Sequence, residues 1–411
     1  MKKRILLVDG VTAALREIKD ELVGLCVGWE LPYADTGVTA LDSLAQHACD
    51  AIVVDLRLQD MGGNHLITHV MKRYPRMHRI ILADLGDPQS LLRCVGNVHQ
   101  FLAKPVEADR LRIVLQRAFD FEMWLPNQTV RELIGRIPRL PSPHDSYARL
   151  VKELQSDSAS LDRIAELVSE DPAITAKVLQ LANSAAYGPP LDEADPALAI
   201  KEIGLANARG LVLLAHSYSN FRDLDGSGFS VEKLWRHSQR TGRFARWIAE
   251  AEGADGPVVR QSATAGLLHD IGKVALAANL ANAFREAQRL FHSKDVADWE
   301  AEQEVFGATH GEVGGCLLGL WGLPIPVVEA AALHHHPACF LSRSFSPLTA
   351  VHVANAFQYA TNCEQARKRV DNSYLGELGL WDRLPQWWES CTRRESQQPT
   401  EAPARPGLRT H

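Results

Sequence analysis

The sequence predicts an α/β doubly wound domain followed by an all-α domain. Three observations lead there: short β-rich apolar runs alternate with amphipathic stretches up to about residue 120, strand signals then stop, and the remainder follows helical periodicity punctuated by caps and prolines. With 411 residues, 46% of them apolar, the chain is long enough for two to three domains with cores of their own.

The strand runs are Ile5 to Val8, Ala51 to Val54, Ile80 to Leu82 and Phe101-Leu102, each followed by an amphipathic segment. Such alternation implies a parallel sheet with helices on both faces. Between Trp124 and Pro143 stand Pro126, Pro138, Pro141 and Pro143, which suits a linker and an extended entry segment. Beyond it, Asp171-Pro172 reads as an N-cap with proline at the first helical position, and Ile174, Val178 and Leu181 form the buried stripe of the helix it opens. The boundaries read from these shifts are 1–121 for the α/β domain, 122–136 for the linker, 137–337 for the helical core, 338–389 for a helical extension and 390–411 for a polar tail expected to be disordered.

Composition narrows the function. Fifty acids against 44 bases give a formal net charge of −6, so there is no global basic field for a nucleic-acid backbone. Seven scattered cysteines, none spaced C-x-x-C, argue against a disulfide framework or a cysteine metal site and fit a reducing cytoplasm. Lys2-Lys3-Arg4 begins like a signal peptide, but Asp9 ends the apolar run too early. The stretch Cys316 to Leu333 carries Pro324, Pro326 and Glu329, and therefore reads as two buried helices and not as a membrane span.

In a doubly wound sheet, ligands bind beyond the carboxyl ends of the strands, and polar residues gather there: Asp9, Asp55, and Lys104 with Pro105. On these residues, segment 1–121 resembles the receiver domain of two-component response regulators, whose fold is flavodoxin-like. The resemblance implies that Asp55 is the phosphoacceptor, Asp9 belongs to an acidic Mg2+ pocket, Lys104 pairs with the phosphoryl group, Phe101 is a switch aromatic, and a sensor histidine kinase is the phosphodonor. A carboxylate attacks phosphorus only when a cation and an ammonium neutralise the charge building on the phosphoryl oxygens. Two positions depart from the pattern. Gly10 stands where a second acid is usual, which weakens the Mg2+ site, and Ala83 replaces a hydroxyl residue. Gly10→Asp is expected to restore the missing carboxylate.

Nine of the sixteen histidines lie between 216 and 352. Helical spacing places His237 on the stripe Leu234, His237, Thr241, Phe244, Ile248; His269 on Val258, Ser262, Ala265, His269; and His310 on His310, Val313, Leu317, Trp321, so all three face one interior. His334-His335-His336 follows an apolar helix, and His352 and Asn355 lie one turn apart. Imidazoles beside a carboxylate, as in His269-Asp270, can hold a divalent metal, and Lys273 one turn on can reach a phosphate. Together with Trp321-Gly-Leu-Pro324 and the segment Asp171 to Ser184, this region resembles the HDOD domain, a helical relative of the HD and HD-GYP phosphohydrolases. The resemblance implies that His237, His269, Asp270, His310 and His334 or His335 match metal-ligand positions, with Lys273 facing phosphate. Asn355 replaces the last metal aspartate, and Pro337-Ala-Cys339 replaces the Gly-Tyr-Pro signature.

The favoured expectation is a cytoplasmic response regulator, a phosphoprotein of a two-component system. Its partly degenerate receiver controls a non-catalytic HDOD output that binds a signalling protein or a cyclic nucleotide. The alternative is a phosphorylation-gated, metal-dependent phosphohydrolase acting on cyclic dinucleotides, with a divalent metal of unknown identity in the HDOD pocket. Asn355 favours the first, with weak or single-metal binding; His269-Asp270 and Lys273 favour the second. Direct DNA binding is not expected, since no basic helix-turn-helix is evident; nor is a membrane, and the reading admits a homodimer.

Overall fold

The computed structural model describes residues 2–397 apart from 11–13, 27, 84–93, 95–96, 123–127, 137–143, 157–159, 184–193, 205–229, 295 and 341–343. Its first layer is an all-parallel sheet. β1 (Lys3–Val8) pairs with β4 (Ala51–Asp55), β4 with β5 (His78–Ala83), and β5 with β6 (Gln100–Ala103). On the far edge β1 pairs with β2 (Trp29–Glu30) and β3 (Tyr33–Ala34), two-residue strands too short to register as periodic runs. Pro32, which has no N–H, separates them, and its carbonyl accepts from Leu7 N at 2.9 Å. If β2 and β3 count as one strand, the order is the flavodoxin-like 2-1-3-4-5.

Side chains alternate between the faces. Ile5, Leu7, Val53, Ile80 and Leu82 pack with Leu15 and Leu22 of α1 (Ala14–Leu25) and with Leu111 and Leu115 of α4 (Ala108–Glu122). Leu6, Val8, Ile52, Val54, Ile81 and Phe101 face the other side, with Leu44 of α2 (Gly37–Gln46) and Leu66 and Val70 of α3 (Gly63–Arg73).

Within the expected linker the chain forms a helix, α5 (Gln128–Arg136), because Leu133 and Ile134 are buried and Gly135 presses on Pro75, where a Cβ would lie 1.8 Å from the carbonyl oxygen. The four prolines of that region lie outside the described residues. α6 (His144–Gln155), α7 (Leu161–Ser169) and α8 (Pro172–Ala182) follow, and Asp171 caps α8 as expected, accepting from Ala173 N and Ile174 N at 2.9 and 3.1 Å.

The helical domain continues with α9 (Val231–Ala251), α10 (Gly256–Leu268), α11 (Ile271–Asn279), α12 (Ala281–Lys294), α13 (Asp298–Phe306), α14 (His310–Leu320), α15 (Ile325–Leu333) and α16 (Pro347–Gln358). After α17 (Cys363–Arg367) and α18 (Asn372–Glu377), α19 (Leu384–Ser396) runs through the tail boundary expected at 390. Ser390 and Cys391 are buried, and Glu395 pairs with Arg240 of α9 at 2.5 Å. Among the described residues, no helix is long and apolar enough to cross a membrane.

The two domains were expected to keep separate cores, yet one apolar cluster runs from the Phe101 face of the sheet through α5 into the helical domain. Polar contacts fix that junction. Gln180 Nε2 of α8 donates to Val98 O and His99 O at 3.2 and 3.0 Å, Arg79 Nη2 donates to Gly135 O at 2.7 Å, and Arg117 of α4 donates to Leu323 O. Lys177, one turn before Gln180, holds its ammonium 3.7 Å from the Trp321 ring centre. Burial pushes Lys177 down to about 7 from an ordinary 10.5. The unfolded chain therefore keeps this proton up to about pH 10.5 and the folded chain loses it near 7, so the cost of the buried ammonium is full below pH 7 and fades as pH rises. Urea unfolding should show Lys177→Met gaining on the parent most at pH 6, with the advantage shrinking steadily toward pH 10.

Candidate metal centre and receiver pocket

Close backbone approaches assemble the histidine site. α9 and α10 cross at Gly242 and Gly266, where a Cβ on Gly266 would lie 2.8 Å from Gly242 Cα, and this brings His237 of α9 beside His269 at the end of α10. Their Nε2 atoms are 3.2 Å apart, and Asp270 Oδ2 is 3.6 Å from the first and 3.4 Å from the second. One residue into α11, Gly272 meets α14 so closely that a Cβ would lie 1.9 Å from His310 O. That contact sets His310 Nε2 3.1 Å from Asp270 Oδ1. His334, ending α15, places Nε2 3.4 Å from His310 Nε2 and 3.8 Å from Asp270 Oδ1, and His335 Nε2 is 3.1 Å from His310 Nε2.

Two ligand groups result, His237/His269/Asp270 and His310/His334/His335, with Asp270 turning one oxygen to each. The imidazoles are already oriented for this. His269 Nδ1 donates to Gly266 O at 2.8 Å and His334 Nδ1 to Ala331 O at 2.9 Å, which leaves each Nε2 a lone pair aimed inward. Burial pushes His269 down to about 4 and holds His237, His334 and His335 below their ordinary range, so these rings are neutral, as metal ligands must be. The facing ring nitrogens stand 3.1–3.4 Å apart, close to the roughly 3.4 Å separation of ligands held 2.0–2.1 Å from one tetrahedral ion. The donor set fits divalent metal.

Negative charge around the centre calls for a cation. His310 Nδ1 donates to Glu302 Oε2 at 2.6 Å; burial lowers its affinity for a second proton, but Glu302 and Asp270 outweigh burial and hold His310 at about 9. Burial alone would raise Asp270, but His269, Lys273 and His310 keep it well below the carboxylate range. Lys273 Nζ lies 3.1 Å from Asp270 Oδ2 and 2.7 Å from Asp298 Oδ2; burial opposes its charge, and the two acids overcome it.

Asn355 adjoins His237, its Oδ1 buried and without a well-formed hydrogen bond. His352 spends both ring nitrogens elsewhere, on His334 O at 2.7 Å and Asp371 N at 2.8 Å. Sequence reasoning missed Asp298 and Glu302. Their spacing of four residues, just before His310, marks one face of α13 and was the available signal. It also missed the aromatic rim, where Trp299 meets His336 at 4.4 Å and the half-exposed Tyr359 ring lies 5.6 Å from His237.

In the α/β domain, Asp9 and Asp55 end the adjacent strands β1 and β4 at the topological switch point, both buried. Lys104 pairs with Asp55 Oδ2, Arg57 N donates to Asp55 Oδ1 at 3.0 Å, and Leu15 N donates to Asp9 Oδ2 at 3.0 Å. Among the described residues, two buried carboxylates stand with one ammonium here, a donor set that suits a divalent cation. Phe101 and Ala83 are both fully buried. The expectation for Gly10→Asp needs correction: a Cβ there would lie 2.1 Å from Asp35 O, so main chain, and not only chemistry, selects glycine.

Comparison with known proteins follows the same division. The response regulator receiver domain family matches residues 5–116, and the HDOD domain family matches 140–337. An uncharacterized protein of Treponema pallidum is 28% identical over 261 residues, covering 62% of this chain and 48% of its own. The luminescence regulatory protein LuxO of Vibrio campbellii is 33% identical over 103 residues, 25% of this chain and 23% of its own. The chain thus spans about half or less of these relatives. Among solved structures, the MmoQ response regulator of Methylococcus capsulatus aligns with a TM-score of 0.44 at 26% identity, over 58% of this chain and 97% of that one.

Two substitutions test the packing behind these sites. Gly272→Ala should force α11 and α14 apart, destabilising the fold by about 1–3 kcal/mol in urea titration. Gly10→Asp should destabilise by a similar amount, about 1–3 kcal/mol, and give no gain in phosphorylation by a small phosphodonor, read by intact mass.

Proposed function

Because the chain is a receiver domain fused to an HDOD domain, we propose that it is a two-component response regulator whose HDOD site holds divalent metal and hydrolyses a phosphate ester under receiver control. The observation that carries this reading is Asp270, buried between two groups of imidazoles, of which His237, His269, His334 and His335 are held neutral, and offering an oxygen to each group. His237, His269 and Asp270 make three ligands, the number that catalytic zinc sites use, and His310, His334 and His335 with the second Asp270 oxygen make four. Metal there would supply Lewis acidity toward a phosphoryl oxygen. The chain itself adds Lys273, kept protonated by Asp270 and Asp298, to neutralise phosphoryl charge, and Glu302, which orients His310.

Receiver control has a physical route. α14 carries His310 at its first residue and, about 15 Å along its axis, Leu320 at the junction, where α4 of the receiver packs against it. The phosphodonor is a histidine kinase and the acceptor Asp55, paired with Lys104; the match of residues 5–116 to the receiver domain family supports that role. The Mg2+ of that step would lie by Asp9 and Asp55, weakened by Gly10.

Asn355 favours a second reading, in which the same pocket binds a protein or cyclic nucleotide without turnover, since an amide is a poorer ligand than a carboxylate. Metal analysis with a phosphodiester assay in Mn2+ or Mg2+ separates the two. Turnover should fall at least about 100-fold in Asp270→Asn and rise with a phosphodonor in the parent but not in Asp55→Asn. Bound metal without turnover would move the assignment to the binding module; absence of metal from the purified and reloaded protein would end the metal-dependent hydrolase reading.

A further inference from the structure

The histidine centre is open along one edge. His269, Asp270, His310 and His334 are buried, whereas His237, Lys273 and Asp298 keep part of their surface for solvent. His237 and Lys273 both meet Asp270 Oδ2, and Asp298 meets Lys273, so the three mark a single approach, on the side of the Lys273 ammonium.

Tyr359 stands at that edge. It follows α16 directly, one turn after Asn355, and residues four apart share a helix face, so both side chains adjoin His237. The Tyr359 ring centre lies 5.6 Å from that of His237, and the charges of Lys273, Asp270 and Asp298 act on its hydroxyl. Yet the residue is 55% exposed. Trp299, the other aromatic of the rim, already meets two imidazoles, His336 at 4.4 Å and His335 at 6.3 Å. Tyr359 has instead a cation at its ring: the Arg369 guanidinium lies 5.9 Å from the ring centre, within cation–π range. The segment that carries Arg369 is held in place, since Val370 is buried and Asp371 N donates to His352 Nε2 at 2.8 Å. A large π-face, turned to solvent beside a centre suited to phosphate, matches a flat heteroaromatic group, and nucleic bases stack on such rings whatever their identity.

We propose that Tyr359 selects the substrate: the base of a nucleotide stacks on its exposed ring while the phosphate of the same nucleotide lies at Lys273 and the histidine centre. The inference rests on the reading of that centre as a phosphate-ester site, and it narrows the ester to a nucleotide. Tyr359 and Arg369 both lie beyond residue 337, where the HDOD match ends, so this choice of substrate is made by the helical extension.

Calorimetric titration of the full chain loaded with Mn2+ compares adenosine monophosphate with ribose phosphate, and plasma emission reads metal content on the same samples. The two ligands share sugar and phosphate and differ in the base. Adenosine monophosphate should bind at least about tenfold more tightly, the factor that stacking of one base supplies. Tyr359→Ala should weaken that ligand alone and bring the two within about twofold of each other, with metal content and ribose phosphate affinity unchanged; Tyr359→Phe should keep the difference. Arg369→Ala, at an exposed side chain, should narrow it at least about threefold. Equal affinities in the parent, a difference that survives Tyr359→Ala, or its loss in Tyr359→Phe would overturn the proposal. Failure of the hydrolase reading gives another pattern: a protein without metal that still prefers adenosine monophosphate through Tyr359 supports the base platform, whereas bound metal with no such preference overturns it.

Discussion

A carboxylate almost out of reach of water sets the terms for the helical domain. Asp270 is 1% exposed, and a charge so placed persists only if positive charge and donors surround it. Lys273 and His310 answer directly, and each is itself held by a further acid, Asp298 or Glu302. The chain has to approach itself closely to bring these groups together, which is why glycines stand at the α9–α10 crossing and at the α11–α14 contact. The apolar helices pack around this polar knot, so their spacing is governed by charge as much as by side-chain volume.

The junction shows the opposite arrangement. Around Asp270 the acids Asp270, Asp298 and Glu302 stand with Lys273 and His310, whereas the Arg79 guanidinium stands among carbonyls. α14 runs from one region to the other. A chain of net charge −6 thus keeps a buried guanidinium, Arg79, at the contact between its two domains.

Much of this was legible in the sequence. Short continuous β-rich apolar runs marked the main strands, helical stripes placed His237, His269 and His310 on one interior, and the Asp171-Pro172 cap lies where the spacing put it. What stayed hidden has physical causes. β2 and β3 are two residues each, below the length at which alternation is visible. α5 was obscured by prolines on either side, although Leu133 and Ile134 were enough to bury one face. Asp298 and Glu302 look like an ordinary solvated acidic face until tertiary packing turns them toward His310 and Lys273. Gly10 looked like a lost acid, and only three-dimensional proximity reveals the Asp35 carbonyl that excludes a side chain.

The docking of α19 bears on what counts as a unit of inheritance. Family resemblance ends at residue 337, yet Asn355 beside His237 and the ion pairs from α19 to α9 lie beyond it. The stretch shared widely enough to define a family is therefore smaller than the stretch that must fold together here. After 337 the chain has a packing task, to keep α9, and with it His237, seated against the remaining helices. Two proteins with unrelated C-terminal segments can then share one chemistry, provided that each supplies its own clamp.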